Sequence, residues 1–469
     1  MNTRITSPQD LAGLRATVMG LGLNGGGLAV ARFLAQNGAE VTVTDMKDEA
    51  TLAESVAALS GLPIRFVLGR HELADFSGAD FIVKNPAVRP DSPYLMAARR
   101  IETDLSLFLR LSRSPIVAVT GSKGKSSTAS AIRHGLAAAG IPALLGGNIA
   151  VSPLSFLADT GEEVPVVLEL SSWQLADLKG SGLLRPKVAV LTSIMPDHMN
   201  RYRSMDEYVA DKRLIYADQD DSCYTVCGAD DPWGRSFAAQ TRGRVRWYSS
   251  DFAGLPGAWL EGAGTRSRGF FSATGRKDEA EEILGGELLV PGPHQRKNLL
   301  AAALACRLMG APAAAVASAM SSFPGVEHRL ERFAEGGGIT WFNDSAATIP
   351  QAVAAALESF AGPTILITGG TDKNLDFEPV RAAYRVPRTI VLLAGSGTEK
   401  LRALLDEDGV AYRGPFDRLE AAVAEAAAAA RSGDTVILSP GCTSFGMFAN
   451  EFDRGRKFKE AVRALLGGP

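Results

Sequence analysis

The sequence predicts an α/β protein of three domains, each built on a mostly parallel sheet. Three observations carry this. The chain has 469 residues, and at about 150 residues per domain that leaves room for roughly three. Short apolar, β-branched runs are repeatedly followed by a polar, Gly-bearing turn and then a helical stretch, the alternation expected of βαβ units. Glycine makes up 49 of the 469 residues, above the usual ~7%, and the excess sits in turns that follow strands.

In chain order, the first segment opens with a strand at Ala16 to Gly20, the turn Gly20 to Gly27, a helix from Leu28 to Asn37 and a strand from Glu40 to Thr44 that ends at Asp45. Further strands are expected at Ile64 to Val67 and Phe81 to Val83, the latter broken by Asn85-Pro86, so a small α/β domain runs to about Arg110. The second segment starts with a strand at Ile116 to Thr120, the loop Gly121 to Ser127 and a helix from Thr128 to Ala139. Strands follow at Pro165 to Leu170 and Lys187 to Ser193, then a helix near Met205 to Ala217. The Gly-rich, charged stretch Phe252 to Glu287 reads as hairpins or surface loops, and Ala301 to Met320 as two helices. From Pro324 a third segment carries strands at Thr340 to Phe342, Thr364 to Thr368, Thr389 to Ala394 and Thr435 to Ser439. Helices at Pro350 to Phe360, Glu399 to Leu405 and Arg418 to Arg431 alternate with them.

Composition excludes several classes. Apolar residues are 46% and charged residues 22%, ordinary for a folded globular chain. No run of about 18 uninterrupted apolar residues exists, so no membrane span is expected. Met1 to Asp10 is polar and lacks a signal-peptide core, which points to the cytoplasm. Four cysteines give no disulfide framework, and Cys223 and Cys227 have no histidine nearby to complete a zinc site. A net charge of −3 makes no case for nucleic acid.

Five constellations carry chemistry. Gly121-Ser122-Lys123-Gly124-Lys125-Ser126-Ser127 lies between strand and helix. Glycines let backbone approach a phosphate, the helix N-terminus offers N–H groups, Lys125 can reach β/γ-phosphates and Ser126 can ligate Mg²⁺. Only two residues separate Gly121 and Gly124, against four in the usual P-loop. Glu169 ends a buried strand, where a carboxylate is costly unless it meets a cation; it is a Mg²⁺ ligand candidate beside Ser126. Asp197-His198 follows another strand, and His198 can hold a metal or a phosphate. Gly20-x-Gly22-x-x-Gly25 with Asp45 twenty residues on fits the dinucleotide fingerprint, although the turn itself requires only a diphosphate and a sugar. Finally, Asn343 to Thr348, Gly369 to Lys373 and Ser439 to Ser444 are three polar strand ends in one sheet, and Lys373 and Ser444 can hold a carboxylate substrate.

With these motifs in this order, the chain resembles the ATP-dependent Mur ligases over nearly its whole length. The resemblance rests on Gly121 to Ser127, Gly146-Gly147-Asn148, Leu168 to Ser172, Asp197-His198, Asp211-Lys212, His294 to Asn298, His328-Arg329, Asn343 to Ser345 and Ser439 to Gly455. It implies a Rossmann-like N-terminal domain over 1–112 that binds the UDP part of a substrate. It implies a central P-loop-type ATPase α/β domain over 113–324, and a C-terminal Rossmann-like α/β domain over 325–469 that closes over the site and binds an amino acid. The implied reaction joins glutamate, with D-glutamate expected, to UDP-N-acetylmuramoyl-L-alanine through an acyl phosphate, with ATP and Mg²⁺ at two sites, in a monomer.

The resemblance also implies residue roles. Gly121 to Ser127 would hold ATP together with Asn298, Arg329 and Asp344. Ser126 and Glu169 would ligate one Mg²⁺, and His198 with a carbamylated Lys212 would serve the second. Lys125, Asn148, His198 and Lys212 would carry catalysis. Leu23, Asn24, Asp45, Asn148 and Ser171 would face the UDP substrate, and Thr348, Lys373 and Ser444 the glutamate. Read alone, Lys212 would be a solvated surface lysine. Four positions depart from the family's usual residues: Lys123 for Asn, Gln295 for Asn, Ala346 for Lys and Glu451 for Phe, the last two beside the amino-acid pocket. Two other readings of the first turn are an NAD-dependent oxidoreductase and a UDP-sugar-binding protein; folylpolyglutamate synthetase shares the core but not that turn.

Overall fold

The computed structural model describes residues 5–467 apart from 23–24, 90, 150, 198, 200–201, 263, 374 and 445. Leu23, Asn24 and His198 therefore lie outside the described residues. Among the described residues, twenty strands form three sheets. The first contains β1 (Arg15–Met19), β2 (Glu40–Asp45), β3 (Ile64–Leu68), β4 (Phe81–Lys84) and β5 (Ile101–Glu102) in the order β3-β2-β1-β4-β5. All its pairings are parallel. Strand order reverses at β1, so the crevice between the C-terminal ends of β1 and β4 is the position where such a sheet binds ligands.

The central sheet contains β6 (Ile116–Thr120), β7 (Leu144–Gly147), β8 (Val166–Glu169), β9 (Val188–Leu191), β10 (Tyr224–Gly228), β11 (Arg244–Ser249), β12 (Gly257–Glu261), β13 (Arg268–Ser272) and β14 (Glu281–Leu284). Its order is β14-β13-β12-β11-β10-β9-β6-β8-β7. Strands β6, β8 and β9 are buried at every position, as expected of a parallel sheet covered on both faces. The charged stretch after Phe252 resolves into the antiparallel pairs β12–β13 and β13–β14, the hairpin alternative. Those hairpins extend the main sheet through parallel β11–β12 pairing.

The third sheet contains β15 (Glu331–Gly336), β16 (Ile339–Asn343), β17 (Thr364–Thr368), β18 (Thr389–Leu393), β19 (Tyr412–Phe416) and β20 (Thr435–Leu438) in the order β15-β16-β20-β17-β18-β19. Only β15–β16 is antiparallel. Six strands escape the sequence pattern: β5, β7, β10, β11, β15 and β19. Strand β19 shows why: it holds Gly414-Pro415 and is exposed along most of its length, so neither apolar periodicity nor propensity marks it. The expected helix at Met205 to Ala217 ends at Arg213 and tightens into a 3₁₀ turn at Leu214–Tyr216.

By contact density the chain forms two compact units. One comprises Met1–Gly262, Arg268–Gly285 and Lys297–Met320; the other comprises Ala263–Ser267, Gly286–Arg296 and Ser321–Pro469. The first and central sheets share the first unit because one apolar core runs through both, from Ile5 and Val18 to Leu168 and Phe237. At their seam the helix Asp104–Leu111 packs on the 3₁₀ segment Pro153–Asp159, with Phe108 edge-on to Phe156 at 5.9 Å. The third sheet has its own cores on its two faces.

Candidate functional site

The central site is built on the C-terminal ends of β6, β8 and β9. Gly121 and Gly124 have φ of +152° and +87°, backbone that L side chains rarely adopt. A Cβ on Gly121 would collide with Thr192, and one on Gly124 with Asn298. Gly124 starts the helix Lys125–Ala138, whose N-terminus has no side-chain cap. The loop is fixed from behind: Ser122 N–H donates to the Ser193 carbonyl (2.8 Å), Ser122 Oγ to the Met195 carbonyl (2.8 Å), and Thr192 Oγ1 to the Lys123 carbonyl (2.7 Å).

Two ammonium groups converge on the loop's carbonyls. Lys125 Nζ donates to Gly121 and Ser122, both at 3.0 Å. Lys212 Nζ donates to Gly121 at 2.8 Å. Lys212 is only 1% exposed, and its ammonium lies 4.5 Å from the centre of the Tyr208 ring. Burial, with the Lys125 charge beside it, pushes its pKa down to about 7. The surface reading of Lys212 is thus corrected: Tyr208, one helical turn earlier, turns it inward. Tyr208 also shares a 3.0 Å hydrogen bond with Ser122, and sequence reasoning missed it.

Glu169, 2% exposed, ends β8, the strand beside β6. Its Oε1 accepts from Asn148 Nδ2 at 3.0 Å, and Asn148 N–H donates to the Glu169 carbonyl at 2.8 Å. Its Oε2 is buried with no hydrogen-bond partner. A buried carboxylate oxygen left open is costly and asks for a cation. Ser126 and Ser127 lie buried in the first helical turn. Lys123 points outward, 3.6 Å from Asp197. Ser171 caps the helix Ser172–Asp177, exchanging hydrogen bonds with Gln174.

At the first sheet, Gly22 N–H donates to Asp45 Oδ2 and Lys47 N–H to Asp45 Oδ1, both at 3.0 Å. Gly25, in left-handed backbone, opens the helix Gly26–Gln36. The Asp45 carboxylate of the expected turn therefore holds the backbone at Gly22.

In the other unit the three polar strand ends meet. Thr371 and Thr443 exchange main-chain hydrogen bonds at 3.1 Å, Gly369 N–H donates to Pro440 (2.9 Å) and Gly441 N–H to Ala347 (2.9 Å). Lys373 Nζ lies 3.4 Å from Thr348 Oγ1, and Ser444 is buried. Asp344 is buried, accepting from Leu330 N–H (3.1 Å) and Ser439 Oγ (2.7 Å), and burial pushes its pKa up to about 7. Arg329 is exposed and exerts charge on Asp344. Arg454 was missed: fully buried, it donates to Ser345 Oγ (3.0 Å), the Ser345 carbonyl (2.8 Å) and the Cys442 carbonyl (3.2 Å), bracing two of the three strand ends.

Comparison with known proteins agrees with this layout. Three protein-family models match in succession: the Mur ligase MurD-like N-terminal domain over residues 15–105, the Mur ligase middle domain over 119–306, and the Mur ligase glutamate ligase domain over 328–442. A protein of Treponema pallidum named UDP-N-acetylmuramoylalanine--D-glutamate ligase is 42% identical, covering 97% of this chain and 98% of its own. A protein of the same name from Roseiflexus sp. is also 42% identical, covering 97% and 100%. Among solved structures, the MurC ligase of Thermotoga maritima superposes with a TM-score of 0.62 at 20% identity, over 96% of this chain and 100% of that one. The MurF ligase of the same organism gives 0.58 at 17%, over 99% and 98%. Those two likenesses speak to fold. With three successive domain matches and full-length relatives well above 30% identity, the chain belongs to the Mur ligase family.

Proposed function

We propose that this chain is an ATP-dependent ligase that joins D-glutamate to UDP-N-acetylmuramoyl-L-alanine in peptidoglycan precursor synthesis. The names of its full-length relatives support the substrates. The observation that carries the chemistry is the convergence of Lys125 and Lys212 on the Gly121 carbonyl, with the open Oε2 of Glu169 at the end of the adjacent strand and its charge acting on Lys212. We assign residues 1–112, 113–324 and 325–469 to the UDP-substrate, ATP and amino-acid domains, in a monomer working in the cytoplasm.

A carboxylate is a poor acyl donor because its oxygen leaves badly. Its oxygen attacks the γ-phosphorus of ATP, ADP departs, and an acyl phosphate forms. The amine of glutamate attacks the acyl carbon, loses a proton, and phosphate leaves. In this scheme Gly121 to Ser127 cradle the phosphates with backbone N–H groups, and Lys125 neutralises charge on the moving phosphoryl group. Ser126 and the open Oε2 of Glu169 fit a divalent cation, and His198 with Lys212 would hold a second. Mg²⁺ there would offset phosphate charge. Asn148, held by Glu169, would meet the acceptor carboxylate. Lys212, with its pKa near 7, has a large neutral amine fraction at neutral pH. That form can add CO₂ and lose a proton, giving a carbamate that would hold a divalent cation. Asn298, Arg329 and Asp344 complete the ATP contacts, Leu23, Asn24, Asp45 and Ser171 those to the UDP substrate. Lys373, Thr348 and Ser444 take the glutamate carboxylates.

The test is phosphate release from ATP with UDP-N-acetylmuramoyl-L-alanine, offering D-glutamate, L-glutamate, L-lysine and meso-diaminopimelate in parallel. Release is expected with D-glutamate and only when the UDP substrate is present. Turnover without the UDP substrate, or preference for another amino acid, overturns the assignment.

A further inference from the structure

The first and central sheets share one unit, and a buried ion pair crosses their seam. Lys84 ends β4 and Asp177 ends the helix Ser172–Asp177. Lys84 Nζ donates to Asp177 Oδ2 at 2.7 Å, with the side chains only 6% and 12% exposed. Nothing in the proposed chemistry uses either group.

Each end of the pair is tied to a different reactive element. Lys84 stands opposite Met19 in the β1–β4 register, at the crevice where a sheet of this topology binds ligands. The next residue, Asn85, donates its N–H to the Met19 carbonyl at 3.1 Å, and its side chain packs directly against Gly20. A cavity of about 30 Å³ is lined by Gly20, Gly26, Gly27, Lys84, Asn85 and Asp104, so the Lys84 stem borders the first Gly-rich turn. On the other side, Asp177 closes the short helix that Ser171 opens, two residues after Glu169. Between them, the Leu170 carbonyl accepts from Thr120 Oγ1 at 2.8 Å, the residue just before the phosphate loop.

A buried ion pair is weak evidence for stability, since apolar residues of similar volume serve as well. What it supplies is a fixed separation and orientation. The proposed substrate makes such a fix necessary: its UDP end is held at the first sheet while its reacting carboxylate must meet ATP at the central one. We propose that Lys84 and Asp177 form a positioning clamp that sets the spacing between the first Gly-rich turn and the Glu169–phosphate-loop site. The inference rests on the ligase reading above.

The clamp acts through other residues, so its signature is a loss of turnover without a loss of binding. The test compares Lys84→Met, Asp177→Asn, Lys84→Arg and the swap Lys84→Asp/Asp177→Lys in the full-length enzyme. It measures kcat, the KM for UDP-N-acetylmuramoyl-L-alanine and for ATP, and thermal midpoints. Lys84→Met and Asp177→Asn should each lower kcat by about 10²-fold, the scale of an ångström-level misplacement. Both KM values should stay within about twofold of wild type. Lys84→Arg should retain most activity, and the two single losses should not multiply in the double Lys84→Met/Asp177→Asn variant. The swap, if it folds, should recover turnover relative to either single variant. Three results overturn the clamp: folded single variants with unchanged kcat, a rise in the KM for the UDP substrate with Lys84→Met alone, or fully multiplicative losses. Wild-type enzyme inactive with the UDP substrate would instead sink the ligase reading.

Discussion

The first unit contains two turns of the same build and opposite charge. Both follow a buried parallel strand, pass through left-handed glycines and open a helix with no side-chain cap. At the Gly20 to Gly25 turn, a carboxylate closes the structure by accepting backbone N–H groups of Gly22 and Lys47. At Gly121 to Ser127, two ammonium groups close it by donating to backbone carbonyls. Backbone geometry alone is therefore neutral about function. An acid beneath a turn suits sugar hydroxyls, which can donate to it. Cations around a turn suit a phosphoryl group whose charge grows during transfer.

The sharpest break in that comparison is Lys125→Ala. It should lower turnover by about 10³-fold or more, as for a group that stabilises transition-state charge, while leaving UDP-substrate binding at the first turn intact. Phosphate release near the wild-type rate would remove Lys125 from the mechanism.

Glu169→Gln comes next. The amide keeps an oxygen for Asn148 but takes away the charge that the open Oε2 offers. Turnover at fixed Mg²⁺ should fall by about 10²-fold, and the Mg²⁺ concentration giving half-maximal rate should rise. A uniform rate loss with no change in the Mg²⁺ requirement would make Glu169 a holder of Asn148 only. Smaller still is Asp45→Asn, which puts an amide N–H where the first turn needs an acceptor. The KM for the UDP substrate should rise by about tenfold with kcat and the KM for ATP near wild type. A matching fall in kcat would mean that the two turns do not act separately.

How far the site could be read from sequence follows the same division. Turns are local, so Gly20 to Gly25 and Gly121 to Ser127 announce themselves through glycine spacing between a strand and a helix. Glu169 is legible because a carboxylate ending an apolar run is anomalous wherever it falls. Lys212 is not, because its burial depends on a ring one turn away and on a carbonyl from residue 121. Lys84 and Asp177 are 93 positions apart, and Arg454 braces Ser345 from 109 positions away. Strands β12 to β14 are legible only as hairpins or loops, because their charged, Gly-rich residues are ordered by pairing with each other and with β11, not by their own periodicity.

A second carboxylate completes the contrast with Glu169. Asp344 is also buried, yet both its oxygens are met, by Leu330 N–H and Ser439 Oγ. Burial still dominates and lifts its pKa to about 7, whereas in the unfolded chain an aspartate titrates near ~3.9. Between those two values the folded protein holds a proton that the unfolded chain has released. Stability therefore falls as pH rises through that window, by at most about 1.4 kcal/mol per pH unit, and the penalty is complete above the folded pKa. Asp344→Asn cannot ionise and keeps an oxygen for Leu330. Its thermal midpoint, measured without nucleotide, should gain on wild type steadily from about pH 4.5 to 7.5 and then level off. A midpoint difference that is constant over that range would mean that Ser439, Leu330 and the neighbouring Arg329 and Arg454 charges hold Asp344 ionised throughout. Asp344 would then present a fixed negative charge to its surroundings at every working pH.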